Sequence, residues 1–148
     1  MRIFIASSGE RLNMAIEVGS WLEGMNVEPV LWNEPEVFPL GAYTWDALID
    51  LSENVDAAIF IFGEDDQIWF RGESTMTVRD NVLLEYGLFS GKLSKANTIF
   101  LCDGRPKLAS DLEGITWGDI RKKNSVRIKL ENWINSIRAS NQKKVKGF

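Results

Sequence analysis

Hydrophobic and polar positions change period several times along this 148-residue chain. RIFIA near the start is a short apolar run that predicts a first strand. From Glu10 to Leu22 the apolar positions recur at helical spacing, with Leu12, Ala15, Ile16 and Leu22 on one face. Gly19 shares that face, where a missing side chain admits a close neighbour, and Gly24 is placed to end the helix. NVEPVLW predicts a second strand, which Pro29 confines to a sheet edge or a strand start. NEPEVFPLGA, with two prolines and a glycine, predicts a loop. Thr44 is placed to cap a short helix through Trp45, Leu48 and Leu51.

AAIFIF is the clearest strand, a continuous apolar run that implies burial on both faces of a parallel sheet. GEDDQIWFRGEST follows and is predicted as a long polar loop. RDNVLLEYGLFSGKL then predicts a helix whose core stripe is Val82, Tyr86, Phe89 and Leu93. TIFLC is another buried strand, a weak strand is expected at Gly114 to Trp117, and a final helix carries Val126, Leu130, Trp133, Ile134 and Ile137 at helical spacing. The alternation predicts an α/β fold: an open, mostly parallel five-stranded sheet with helices on both faces, in flavodoxin-like layering. One domain over residues 1–148 accounts for it, with a basic C-terminal helix and tail from about 124. Ligands of such folds collect at the carboxyl ends of the strands. That points to the loops Ala6–Glu10, Trp32–Tyr43, Gly63–Thr77 and Asp103–Lys107.

Composition narrows the chemistry. The chain has no histidine and one cysteine. Imidazole acid–base catalysis, His-dependent nucleophilic triads and Cys-based zinc sites are excluded, no metal is expected, and Cys102 reads as a buried inert thiol. The net charge of -4 hides an asymmetry, because roughly half of the Lys and Arg follow Gly118. The acidic remainder argues against nucleic acid as a partner, and the basic tail NQKKVKGF reads as a solvated helix face with a frayed end. With no apolar run long enough to span a bilayer and no signal sequence, a cytoplasmic location without membrane contact is expected.

Glu85 stands out among Val82 to Phe89. A carboxylate among apolar neighbours costs free energy unless it is paired, protonated or used. It falls about 60° off the core stripe, beside Asn81 one turn earlier. The competing role is an ion pair with Arg71 or Arg79. Glu73 and the run Glu64, Asp65, Asp66 read as solvated loop acids. Trp32 and Trp69 either stack on a ligand ring or fold onto the core, and Ser7, Ser8 and Gly9 form a plausible phosphate-facing turn.

Together IFIASSGE, PVLWNEPEVFPLGAYTWDALI, DAAIFIFGEDDQIWFRGE and VRDNVLLEYGLFSGKL resemble the prokaryotic TIR-like nucleotide-binding domains, the kind found fused to bacterial STING or similar cyclic-nucleotide sensors. The resemblance covers residues 2 to 120, and RDNVxxExGLFxG is its most specific block. It implies NAD+ glycohydrolase activity in antiphage signalling, with NAD+ as substrate and no resident cofactor. The family's catalytic glutamate matches Glu85. Ser7 and Ser8 are expected on the ribose or pyrophosphate, and Asp80 and Asn81 on the sugar hydroxyls or the glutamate. Trp32, Phe38 and Leu40 would wall and cover the nicotinamide, and Arg79 would position loops or phosphate. The resemblance also implies activation by TIR–TIR self-association under a fused or separate cyclic-nucleotide sensor. The alternatives are a module that binds nucleotide or docks partners without catalysis, and a nucleoside deoxyribosyltransferase-like enzyme.

Overall fold

The computed structural model describes residues 1–38 and 44–147. Five parallel strands form the sheet: β1 (Arg2–Ser7), β2 (Glu28–Leu31), β3 (Ala57–Gly63), β6 (Thr98–Asp103) and β7 (Gly118–Asp119), in the order β2-β1-β3-β6-β7. Between them run α1 (Leu12–Gly24), α2 (Thr44–Asn54), α3 (Asp80–Leu93) and α4 (Lys123–Lys146).

Alternation along the central strands splits the core into two layers. Ile3, Ile5, Ile59 and Ile61 face α1 and α4, meeting Ala15, Val18, Leu22, Val126, Leu130 and Ile134. Phe4, Ala58, Phe60 and Phe62 face α2 and α3, meeting Leu48, Val82, Tyr86 and Phe89. The second layer is aromatic. Phe4 stacks on Phe89 at 4.9 Å and Phe62 on Phe100 at 4.7 Å, while the Tyr86 ring stands edge-on to Phe60, Phe62 and Phe100. Each such pair adds about 0.5–1.5 kcal/mol beyond area burial. Tyr86 therefore pins the rotation of α3, and with it the direction of its neighbour Glu85.

Several expectations need correcting. Ile16 is 45% exposed, and the buried face of α1 is Ala15, Val18, Gly19 and Leu22. A methyl on Gly19 would sit 3.6 Å from the Pro29 Cβ, ordinary contact, so the helix–strand approach there does not demand glycine. The left-handed residue after α1 is Asn26, at φ 60, not Gly24, and asparagine tolerates that region well. Thr44 is the first residue of α2 itself, and the residue before it lies outside the described ones. The tail stays helical as far as Lys146 instead of fraying.

The largest correction is Asp66 to Thr77, which is an antiparallel hairpin of β4 (Asp66–Phe70) and β5 (Glu73–Thr77). Arg71 and Gly72 between them have φ 49 and 83, the left-handed pair a two-residue hairpin turn needs. Its alternation was masked by so many polar residues. The fifth strand lies at Gly118–Asp119, four residues past the expected start, since the chain turns at Gly114 with φ 89. A methyl on Gly118 would lie 3.0 Å from Leu101 and 3.1 Å from Val126. Gly118→Ala should lower Tm by a few degrees in a melting curve, the cost of forcing those side chains aside.

Candidate active site

Four expected residues sit where β1 and β2 end. The Ser7 hydroxyl accepts from Trp32 Nε1 at 2.9 Å and donates to the Ser8 carbonyl at 2.9 Å. Ser8 Oγ donates to Asp65 Oδ1 at 2.9 Å. Both serines are buried, so their hydroxyls hold the protein together in this state instead of facing a ligand. Trp32 and Phe38 pack on the aromatic layer that also receives α3. Leu40 lies outside the described residues.

Arg79, at the start of α3, does not meet Glu85. Its guanidinium forks onto Glu10, with bonds of 3.0 and 2.9 Å, and reaches Asp66 Oδ1 at 3.3 Å. The pairing holds Glu10 below the usual carboxylate range. Arg79 thus ties the turn after β1, the hairpin and α3 to one another. Asp80 accepts from the Asn81 amide at 2.7 Å, an acid well placed in the first helical turn.

Glu85 lies in the second turn of α3, half-buried. Lys92 is seven residues on, about 20° away around the helix, and its Nζ is 3.6 Å from Glu53 of α2. Glu85 therefore faces the seam between α2 and α3. Among the described residues no cation or hydrogen-bond donor pairs with it. Burial alone pushes its carboxyl up to about 7. The alternative of a structural ion pair is not realised, since Arg79 is engaged elsewhere and Arg71 turns the hairpin. Cys102 is buried and inert, its thiol pushed up to about 12 by burial first and Asp119 second. Among the described residues no group of acids, Cys or His is fit to hold a metal, and no helix is long and apolar enough to cross a membrane. A cleft of about 700 Å³ between α1 and α4, lined by Trp21, Arg127 and Glu131, lies on the other face of the sheet and cannot serve Glu85.

What the sequence did not reveal is a buried charge cluster. Asp65 is not a solvated loop acid: its side chain is fully buried and paired with Arg11, whose Nε also lies 3.3 Å from Asp103 Oδ2. Arg11 lies across Gly63, the last residue of β3, where any Cβ would overlap the guanidinium. A glycine closing an otherwise bulky strand was the available signal.

A model of the CAP12/Pycsar effector protein TIR domain matches residues 2–122. The chain belongs to that family. It is 34% identical over 137 residues to CD-NTase-associated protein 12 of Sphingobacterium faecium, covering 93% of this chain and 42% of the relative. It is 37% identical over 117 residues to the Pycsar effector protein PaPycTIR of Pseudomonas aeruginosa, covering 77% and 37% respectively. The chain thus spans about two fifths of the length of the curated relatives it matches. The TIR domain of the Toll-related receptor TRR-2 from Hydra magnipapillata superposes with a TM-score of 0.62 at 16% identity, covering 92% of this chain and 97% of that one. This likeness concerns the TIR fold alone.

Proposed function

We propose that this TIR domain cleaves the nicotinamide–ribose bond of NAD+, with Glu85 as the catalytic carboxylate. The domain would act once self-associated, as the effector arm of a cyclic-nucleotide-triggered antiphage response. The relatives' names, CD-NTase-associated protein and Pycsar effector, support the signalling context. The observation that carries the chemistry is Glu85 itself, half-buried on the α2–α3 seam with no cation beside it.

The leaving nicotinamide starts as a cation and departs neutral, so no general acid is required and the lack of histidine costs nothing. The ribose becomes oxocarbenium-like as that bond breaks, a half-buried carboxylate stabilises or traps it, and water then forms the new bond at the anomeric carbon that nicotinamide left, losing a proton to solvent. Asn81 is one turn before Glu85, positioned to orient it or a ribose hydroxyl. Because only the ionised acid can do this, cleavage should rise with pH through about 7 and level off above it. A rate profile that is flat across that range would remove Glu85 from the role.

The deciding experiment incubates the clustered domain with NAD+ and follows free nicotinamide by chromatography. Cleavage that Glu85→Gln abolishes supports the reading. Saturable nucleotide binding without released nicotinamide would make the domain a binding module, and base exchange between deoxynucleosides would make it a transferase.

A further inference from the structure

The strand at one edge of the sheet is too short to cover its neighbour. β7 has two residues and pairs only with Leu101 and Cys102 of β6, so the half of β6 from Thr98 to Phe100 has no strand on that side. Trp117 and Trp133 stand there instead, one packed on each layer of the core. The two indoles line a recess of about 190 Å³, floored by Ile99, Phe100, Leu101 and Leu130. Nothing at hand fills it. Trp133 is anchored by its indole Nε1, which donates to the Ala96 carbonyl at 2.8 Å, and Gly118, also in the lining, has no side chain to offer. Neither indole pairs with another aromatic ring among the described residues.

We propose that this recess binds a small aromatic carboxylate, its ring against the two indoles and its carboxylate on Lys129. Size decides the first half. A cavity of about 150 Å³ takes one benzene ring, so a recess slightly larger admits a single ring with a short substituent and no segment of folded protein. Stacking on indole favours a flat ring over an aliphatic group of similar area. Charge decides the second half. Lys129 is the one ionisable side chain in the lining; it is exposed and has no ion-pair partner among the described residues. The acids nearest along the chain, Glu113, Asp119 and Glu131, do not line the recess. Asp119 is held by Arg121 at 3.2 Å, and Glu131 belongs to the cleft between α1 and α4. That larger cleft also offers an indole and a cation, Trp21 and Arg127, but Glu131 among them removes any preference for an anion.

Glu85 does not line the recess, so the site stands or falls independently of NAD+ cleavage. A ligand of about ten non-hydrogen atoms binds such a recess at roughly millimolar strength. At low ionic strength an exposed ion pair with Lys129 adds about threefold to that affinity.

Titration of the full chain with phenylacetate, its neutral amide phenylacetamide, and acetate tests this, with the indole N–H signals of each tryptophan followed by NMR. Phenylacetate should move the Trp117 and Trp133 signals with a Kd of roughly 1 mM, phenylacetamide should bind about threefold more weakly, and acetate should move neither signal. Lys129→Gln, at an exposed position, should bring phenylacetate down to the affinity of the amide and leave the amide unchanged. The proposal is overturned if phenylacetate leaves both signals in place at about 20 mM, or if it moves the Trp21 signal instead. It is equally overturned if the amide or acetate binds as well as phenylacetate, or if Lys129→Gln keeps the preference for the anion.

Discussion

Replacing Glu85 with Gln should abolish nicotinamide release and, above neutral pH, make the domain more resistant to heat. The two effects share one cause. Glu85 keeps its proton up to about pH 7 in the folded chain, against an ordinary value of 4.5. Between those limits the folded state binds more protons than the unfolded, so its stability falls as pH rises through the interval and stays low beyond. Glutamine carries no charge and escapes the penalty. Allowing for the water that still reaches a half-buried carboxylate, the gain above pH 7 is about 1–2 kcal/mol. In a domain of this size that is several degrees of Tm, and below about pH 4.5 it vanishes. Melting curves of both proteins at pH 4 and pH 8 measure it. A lower Tm for Glu85→Gln at pH 8 would mean that the carboxylate holds the fold together, which is the role an ion pair would have given it. A stabilising substitution that removes activity is the signature of a group kept for function at the fold's expense.

How much of this was legible in advance depended on whether the deciding contacts were local. Apolar runs such as AAIFIF declare a buried parallel strand, because burial on both faces leaves no room for alternation. The core stripe of α3 was readable from its period, and so was the boundary position of Glu85. The hairpin was not, because β4 and β5 lie outside the main sheet and their polar residues hid the alternation of Ile68, Thr75 and their neighbours. The turn itself had a signal, Arg71-Gly72, weaker than the asparagine or aspartate that usually precedes glycine there. The pairing of Arg79 with Glu10 joins residues 69 apart, and no spacing rule reaches that far. Asp65 failed for a related reason. Three acids in a row after a strand look alike in sequence, and only the fold decides that Glu64 is exposed, Asp66 meets Arg79, and Asp65 turns inward to Arg11 and Ser8.

That inward pair supports the other large prediction. Arg11 is 15% exposed and Asp65 not at all, so removing either partner strands a charge away from water. The expected cost is about 3–5 kcal/mol, a fall in Tm of roughly 10 °C or more for Arg11→Ala. Gly63→Ala should cost nearly as much, although it adds one methyl group and removes no charged atom. The methyl occupies the space of the Arg11 guanidinium. An unrestrained arginine would swing aside at little expense, but this one is held by Asp65 and Asp103, so moving it breaks the pair. The two substitutions therefore damage the same interaction, and their effects should not add. The double variant Arg11→Ala with Gly63→Ala should melt close to Arg11→Ala alone. A double variant that loses the sum of both would show that Gly63 matters for its own backbone, not for the arginine across it. Because Ser8 shares Asp65 with Arg11, each of these variants should also loosen the turn after β1.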